Sequence, residues 1–83
     1  MPKIPRDISG EDLSKLLIKY HYNITRQIGS HIRLASNIKG FTHSITIPDH
    51  ETIKIGTLNN ILKDIADYLK LEKTALINEI FKS

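Results

Sequence analysis

Arg26-Gln27-Ile28-Gly29-Ser30-His31-Ile32-Arg33-Leu34 is the run whose reading decides the fold. Gly29-Ser30 reads as a two-residue type II′ hairpin turn, because glycine supplies the positive φ needed at the first turn position and a small polar residue suits the second. His31 therefore opens a second strand. With side chains alternating at period two, Ile32 and Leu34 face one side while His31, Arg33 and Ala35 face the other. An apolar pair is thus aimed at a core, and an imidazole and a guanidinium share the opposite face.

Upstream of the turn, Tyr22 to Ile28 reads as a first strand with Tyr22, Ile24 and Ile28 in phase. Arg26 falls on that apolar phase, so either its aliphatic stem lies across the core edge or a bulge shifts the register. Downstream, the second strand runs from His31 to about Ser36, and Asn37-Ile38-Lys39-Gly40 is a longer turn. His43 to Ile47 is a third strand, stopped by Pro48, which removes a ladder donor. The expected meander is antiparallel. Its polar face would carry Thr25, Gln27, His31, Arg33, Ser44 and Thr46. Its apolar face would carry Ile24, Ile28, Ile32, Leu34, Ile45 and Ile47, which helices must cover.

Helical periodicity brackets these strands. Ser9 precedes a stripe of Leu13, Leu16, Leu17 and Tyr20, with Asp12 in a first turn where the helix dipole favours negative charge. His21 reads as a helix-end residue. Pro48 to Gly56 is a loop holding His50 and Lys54, after which Thr57 is expected to cap a helix with the stripe Leu58, Ile61, Leu62, Ile65, Ala66 and Leu69. Leu76, Ile77, Ile80 and Phe81 define a last amphipathic helix. The fold class is α+β, in the order α-β-β-β-α plus a C-terminal helix.

Composition narrows the chemistry. Eighty-three residues fit one small domain over 1–83, which at this size buries only about 60% of its unfolded surface. The absence of cysteine excludes disulfides, thiolate metal sites and a cysteine nucleophile, and fits a reducing compartment. Met1 to Ile8 reads as a short lead-in without the apolar core of a secretory signal, and no run is long enough to span a bilayer, so a soluble cytoplasmic protein is expected. The net charge of +3 is unevenly spread. From Leu13 to Thr57 six basic residues face two acidic ones, a surplus of four around the His31 hairpin, while the charges from Leu58 onward balance. Such a surplus attracts a polyanion.

Three blocks in order carry a family resemblance: Gly29-Ser30-His31 after a basic strand, then Ile45-Thr46-Ile47-Pro48-Asp49-His50, then Ile55-Gly56-Thr57-Leu58-Asn59-Asn60-Ile61-Leu62. Over about 9–69 the chain resembles the HicA toxins, also called YcfA-like messenger-RNA interferases, with 72–83 as an added helix. The resemblance implies a fold like a double-stranded-RNA-binding domain and endoribonuclease activity without a metal cofactor, centred on His31. It also implies inhibition by a HicB-type antitoxin. Where many members carry a glycine after the second helix, this chain reads Asp67-Tyr68-Leu69-Lys70, which lets that helix run on.

The residues support such chemistry on their own terms. RNA is cut without metal or protein nucleophile when its own 2′-OH attacks the adjacent phosphorus, given a base, an acid and a cation for the developing charge. Histidine suits the proton work because its reference pKa of about 6.5 leaves both forms populated near neutrality. Arg33 shares a strand face with His31 and offers a planar fork for phosphate. The amides of Gly29 and Ser30 and the ammonium of Lys54 are further candidate RNA contacts, and His50 is a candidate second proton-transfer group. A zinc site of His31, His43 and His50 follows no known ligand spacing. A non-catalytic RNA-binding module of the same fold, and a protein-interaction domain using the C-terminal helix, are the alternatives.

Overall fold

The computed structural model describes residues 7–81, so most of the lead-in and the last two residues of the expected C-terminal helix lie outside the described residues. Helix α1 (Gly10–Leu17) continues into a 3-10 turn at Ile18–Tyr20. Strands β1 (Asn23–Ile28), β2 (His31–Ser36) and β3 (His43–Pro48) follow, then α2 (Ile55–Leu69) and α3 (Lys73–Ile80). The strands form one antiparallel sheet in the order β1-β2-β3, with the helices on one side. This is the α+β, double-stranded-RNA-binding-domain-like order that the sequence predicts.

Helix α1 starts where Ser9 Oγ accepts from the Asp12 N–H at 3.0 Å, with Glu11 and Asp12 in the first turn. Leu13, Leu17 and Tyr20 are buried. Gly10 is required by close approach, because a Cβ there would collide with the Pro48 carbonyl oxygen. Its N–H donates to the His50 carbonyl at 3.0 Å, which fastens the loop after β3 to the start of α1.

The hairpin turn has the expected geometry, with positive φ at Gly29 (55°) and not at Ser30, as type II′ requires. In β2 and β3 the alternation holds: Ile32, Leu34, Ile45 and Ile47 are buried under the helices. Strand β1 departs from expectation. Ile24 pairs with Leu34, but the next pair is Arg26 with Arg33, so Thr25 is an extra residue in a β-bulge. Beyond the bulge the phase inverts. Gln27 lies opposite Ile32, on the helix side, and Ile28 lies opposite His31, on the open side. The polar face therefore loses Gln27 and gains Arg26 and Ile28. The expected apolar face loses Ile28 outright, and Ile24 stays 54% exposed because β1 is the sheet edge.

Helix α2 begins two residues before Thr57. Lys54 occupies the N-cap without a side-chain cap bond. Ile53 and Leu58, both buried, flank this start as a hydrophobic staple does, and the Ile53 N–H donates to the Ile8 carbonyl at 2.9 Å. Nor does α2 run on at its other end: Lys70 takes the left-handed conformation (φ 59°), and the Leu71 N–H returns to the Ala66 carbonyl at 2.9 Å. A lysine thus does what glycine does at most such helix ends. Leu76, Ile77 and Ile80 of α3 are buried in the common core.

Candidate functional site

Three strand pairings determine what stands on the open face. Arg26 of β1, Arg33 of β2 and Thr46 of β3 lie opposite one another in one row, and Ile28, His31 and Pro48 form the next row toward the turn. Directly opposed residues carry their Cβ atoms about 4.5–5.5 Å apart. The result is a shallow depression of about 110 Å³ lined by Arg26, Ile28, His31, Arg33 and Thr46. His31, Arg26 and Arg33 are all exposed. Like charges directly opposed on a sheet repel, and among the described residues neither guanidinium pairs with a carboxylate. An anion between them would relieve that repulsion and receive two forks of donors.

Not every candidate residue joins this depression. Gly29 and Ser30 form the exposed turn beside it, and the Ser30 carbonyl accepts from the Asp49 N–H at 2.7 Å. That bond holds the following loop against the turn, and Gln27 Nε2 adds a second tie by donating to Asp49 Oδ2 at 3.1 Å. His50 is the next residue along, exposed, with its carbonyl engaged by Gly10, and it is not among the lining side chains. Lys54 is exposed at the start of α2 and is likewise outside the lining. Arg26 is the residue that sequence reading left undecided; the signal was an arginine on an apolar phase, and the bulge at Thr25 resolves it.

His43 serves the scaffold. His43 Nδ1 lies 2.7 Å from Tyr22 Oη, and the imidazole stacks on Tyr68 with centroids 4.7 Å apart. Burial, reinforced by Tyr68 and Asp64, pushes the Tyr22 phenol well above its ordinary range, so the phenol stays protonated in its hydrogen bond with His43. Tyr68 Oη in turn accepts from the Lys39 N–H at 3.1 Å and donates to the Phe41 carbonyl at 2.6 Å, pinning the β2–β3 turn. His21 ends the 3-10 turn with φ 66°, its N–H bonded to the Ile18 carbonyl at 3.0 Å. Among the described residues no three His, Asp or Glu side chains converge as a metal-binding group, and no helix is long and apolar enough to cross a membrane.

A family model described as the HicA toxin of bacterial toxin–antitoxin systems matches residues 10–66, from the start of α1 into the last turns of α2. Neither the curated proteins nor the solved structures yield a match.

Proposed function

The chain belongs to the HicA toxin family of bacterial toxin–antitoxin systems, and we propose that it acts as an endoribonuclease whose cleavage site is the depression around His31. The observation that carries this reading is the bulge at Thr25, which brings Arg26 opposite Arg33 beside an exposed histidine. A phosphodiester between the two guanidiniums has its negative charge neutralised as the phosphorane forms. His31 takes the proton of the neighbouring 2′-OH; the O2′–P bond forms, the P–O5′ bond breaks, the leaving oxygen takes a proton from water, and His31 returns its own to solvent. The products are a 2′,3′-cyclic phosphate and a 5′-hydroxyl. No step in this route calls for a metal ion. A HicB-type antitoxin would neutralise the enzyme by covering the same open face.

The deciding experiment incubates purified protein with single-stranded RNA, with and without chelator, wild type beside His31→Ala. Cleavage that survives chelator, leaves cyclic phosphate and falls about 10²–10⁴-fold in His31→Ala supports general acid–base catalysis. Dependence on added divalent metal, a 5′-phosphate product, or a folded and fully active His31→Ala protein would overturn it. Binding of the RNA by wild type without any cleavage would return the chain to a non-catalytic RNA-binding module.

A further inference from the structure

A second depression of about 230 Å³ opens at the other end of β1 and β2, lined by residues that include His21, Asn23, Thr25, Ala35, Asn37 and Thr42. Asn23 pairs with Ala35, which alternates in phase with His31 and Arg33, so the two depressions share the open face. Ala35 lies four residue steps along β2 from His31, which at the strand rise is about 13 Å. The two linings differ in kind. The first is dominated by guanidinium charge, whereas this one has no lysine, arginine or carboxylate and presents amides, hydroxyls and one imidazole. Neutral groups that both donate and accept are poor counterions for phosphate and well matched to the edge of a nucleobase.

The local structure holds these groups ready. Asn23 Nδ2 donates to the His21 carbonyl at 3.4 Å, which restrains the amide and leaves its oxygen free to accept. Thr25 Oγ1, in the bulge, donates to the Arg33 carbonyl at 3.3 Å. Asn37 and Thr42 come from the two ends of the turn that Tyr68 pins. At about 230 Å³ the space is smaller than the roughly 300–1,000 Å³ of sites for drug-sized ligands, in keeping with one planar ring system. Unpaired RNA is recognised in this way, by bases splayed out, stacked on rings such as imidazole and hydrogen-bonded along their edges.

We infer that this depression is a base-reading subsite, which takes one nucleobase of the RNA strand at a fixed offset from the phosphate held by Arg26 and Arg33 and thereby sets the cleavage preference. The inference rests on the RNA-cleavage reading of the His31 site and is separable from it. Cleaved ends from a randomised single-stranded RNA pool are sequenced for wild type, Asn23→Ala and Asn37→Ala, with circular dichroism verifying the fold. Wild type should favour one base at one offset by at least about fivefold, as a well-made base contact does. Each variant should flatten that position alone while cutting unfavoured RNA within about threefold of the wild-type rate. Wild-type preference retained by both folded variants would overturn the subsite. Binding of the four homopolymer oligonucleotides to His31→Ala protein, followed by fluorescence anisotropy, supplies a readout independent of cleavage. A base-dependent difference that Asn37→Ala removes supports the subsite even if no RNA is cut. Equal binding of all four overturns it even if RNA is cut at His31.

Discussion

At the residue scale the proposed chemistry turns on Thr25, the extra residue of β1. Without the bulge, Arg26 would lie on the helix side of the sheet and Arg33 would stand alone beside His31. On the proposed reading two guanidiniums share one phosphate, which makes their effects interdependent. Arg26→Ala and Arg33→Ala should each slow cleavage about 10- to 100-fold, the equivalent of a charged hydrogen bond at roughly 1.5–3 kcal/mol. The double variant should lose less than the product of the two, because residues that share a partner couple by at least about 0.5 kcal/mol. Strict multiplicativity in a double-mutant cycle would mean that they hold different phosphates. His50→Ala, from the loop outside the depression, should cost less than about tenfold; a loss equal to that of His31→Ala would make the two an acid–base pair.

At the element scale, the two helix ends and the last helix are where local preference and tertiary packing pull apart. Lys70 sits at φ 59°, a conformation that costs a residue with a Cβ roughly 1–2 kcal/mol. Lys70→Gly relieves that strain and gives back about 0.5–1 kcal/mol in unfolded-chain entropy, so a net gain of up to about 1.5 kcal/mol is expected in urea titrations; a loss would show that the lysine side chain is needed there. Helix α3 is held by Leu76, Ile77 and Ile80, all buried. Leu76→Ala should destabilise the protein by about 2–5 kcal/mol, and truncation after Leu71 should lower the melting temperature further. An unchanged melting curve after truncation would mean that α3 contributes nothing to the stability of the domain.

At the scale of the whole molecule, one side of the sheet is core and the other is an exposed face carrying Arg26, His31 and Arg33, so on the proposed reading inhibition and stability answer to different faces. The basic surplus lies in the segment that builds the open face, and an acidic antitoxin surface would be steered to it. Amide exchange in the complex should show protection over Gln27 to Arg33; protection confined to the C-terminal helices would mean inhibition at a distance. The core side should be sensitive to alkali. Burial, and next the Glu79 carboxylate, lift the Tyr20 phenol to about 12, and burial lifts Tyr22 further still. Both phenols bind their protons more tightly folded than unfolded, so their contribution is complete below pH 10 and lost as pH rises from the unfolded value of about 10 toward 12. Urea midpoints should therefore fall steeply above pH 10, and a flat profile to pH 11.5 would refute the assignment. What the sequence by itself determined was whatever depends on near neighbours: the Gly29 turn, the alternation of β2 and β3, the Ser9 cap, and the helical stripes. These rest on local φ preferences and on periods of two and 3.6, which read the same in any context. Only the tertiary structure decided the bulge, the start of α2 at Ile55 and the left-handed Lys70. Each of these follows from packing between segments distant in the chain: Leu34 and Arg33 set the phase of β1, Ile53 and Leu58 enter a common core, and α3 must fold back against α2. Arg26 therefore joined His31 and Arg33 through a register that no local pattern encodes.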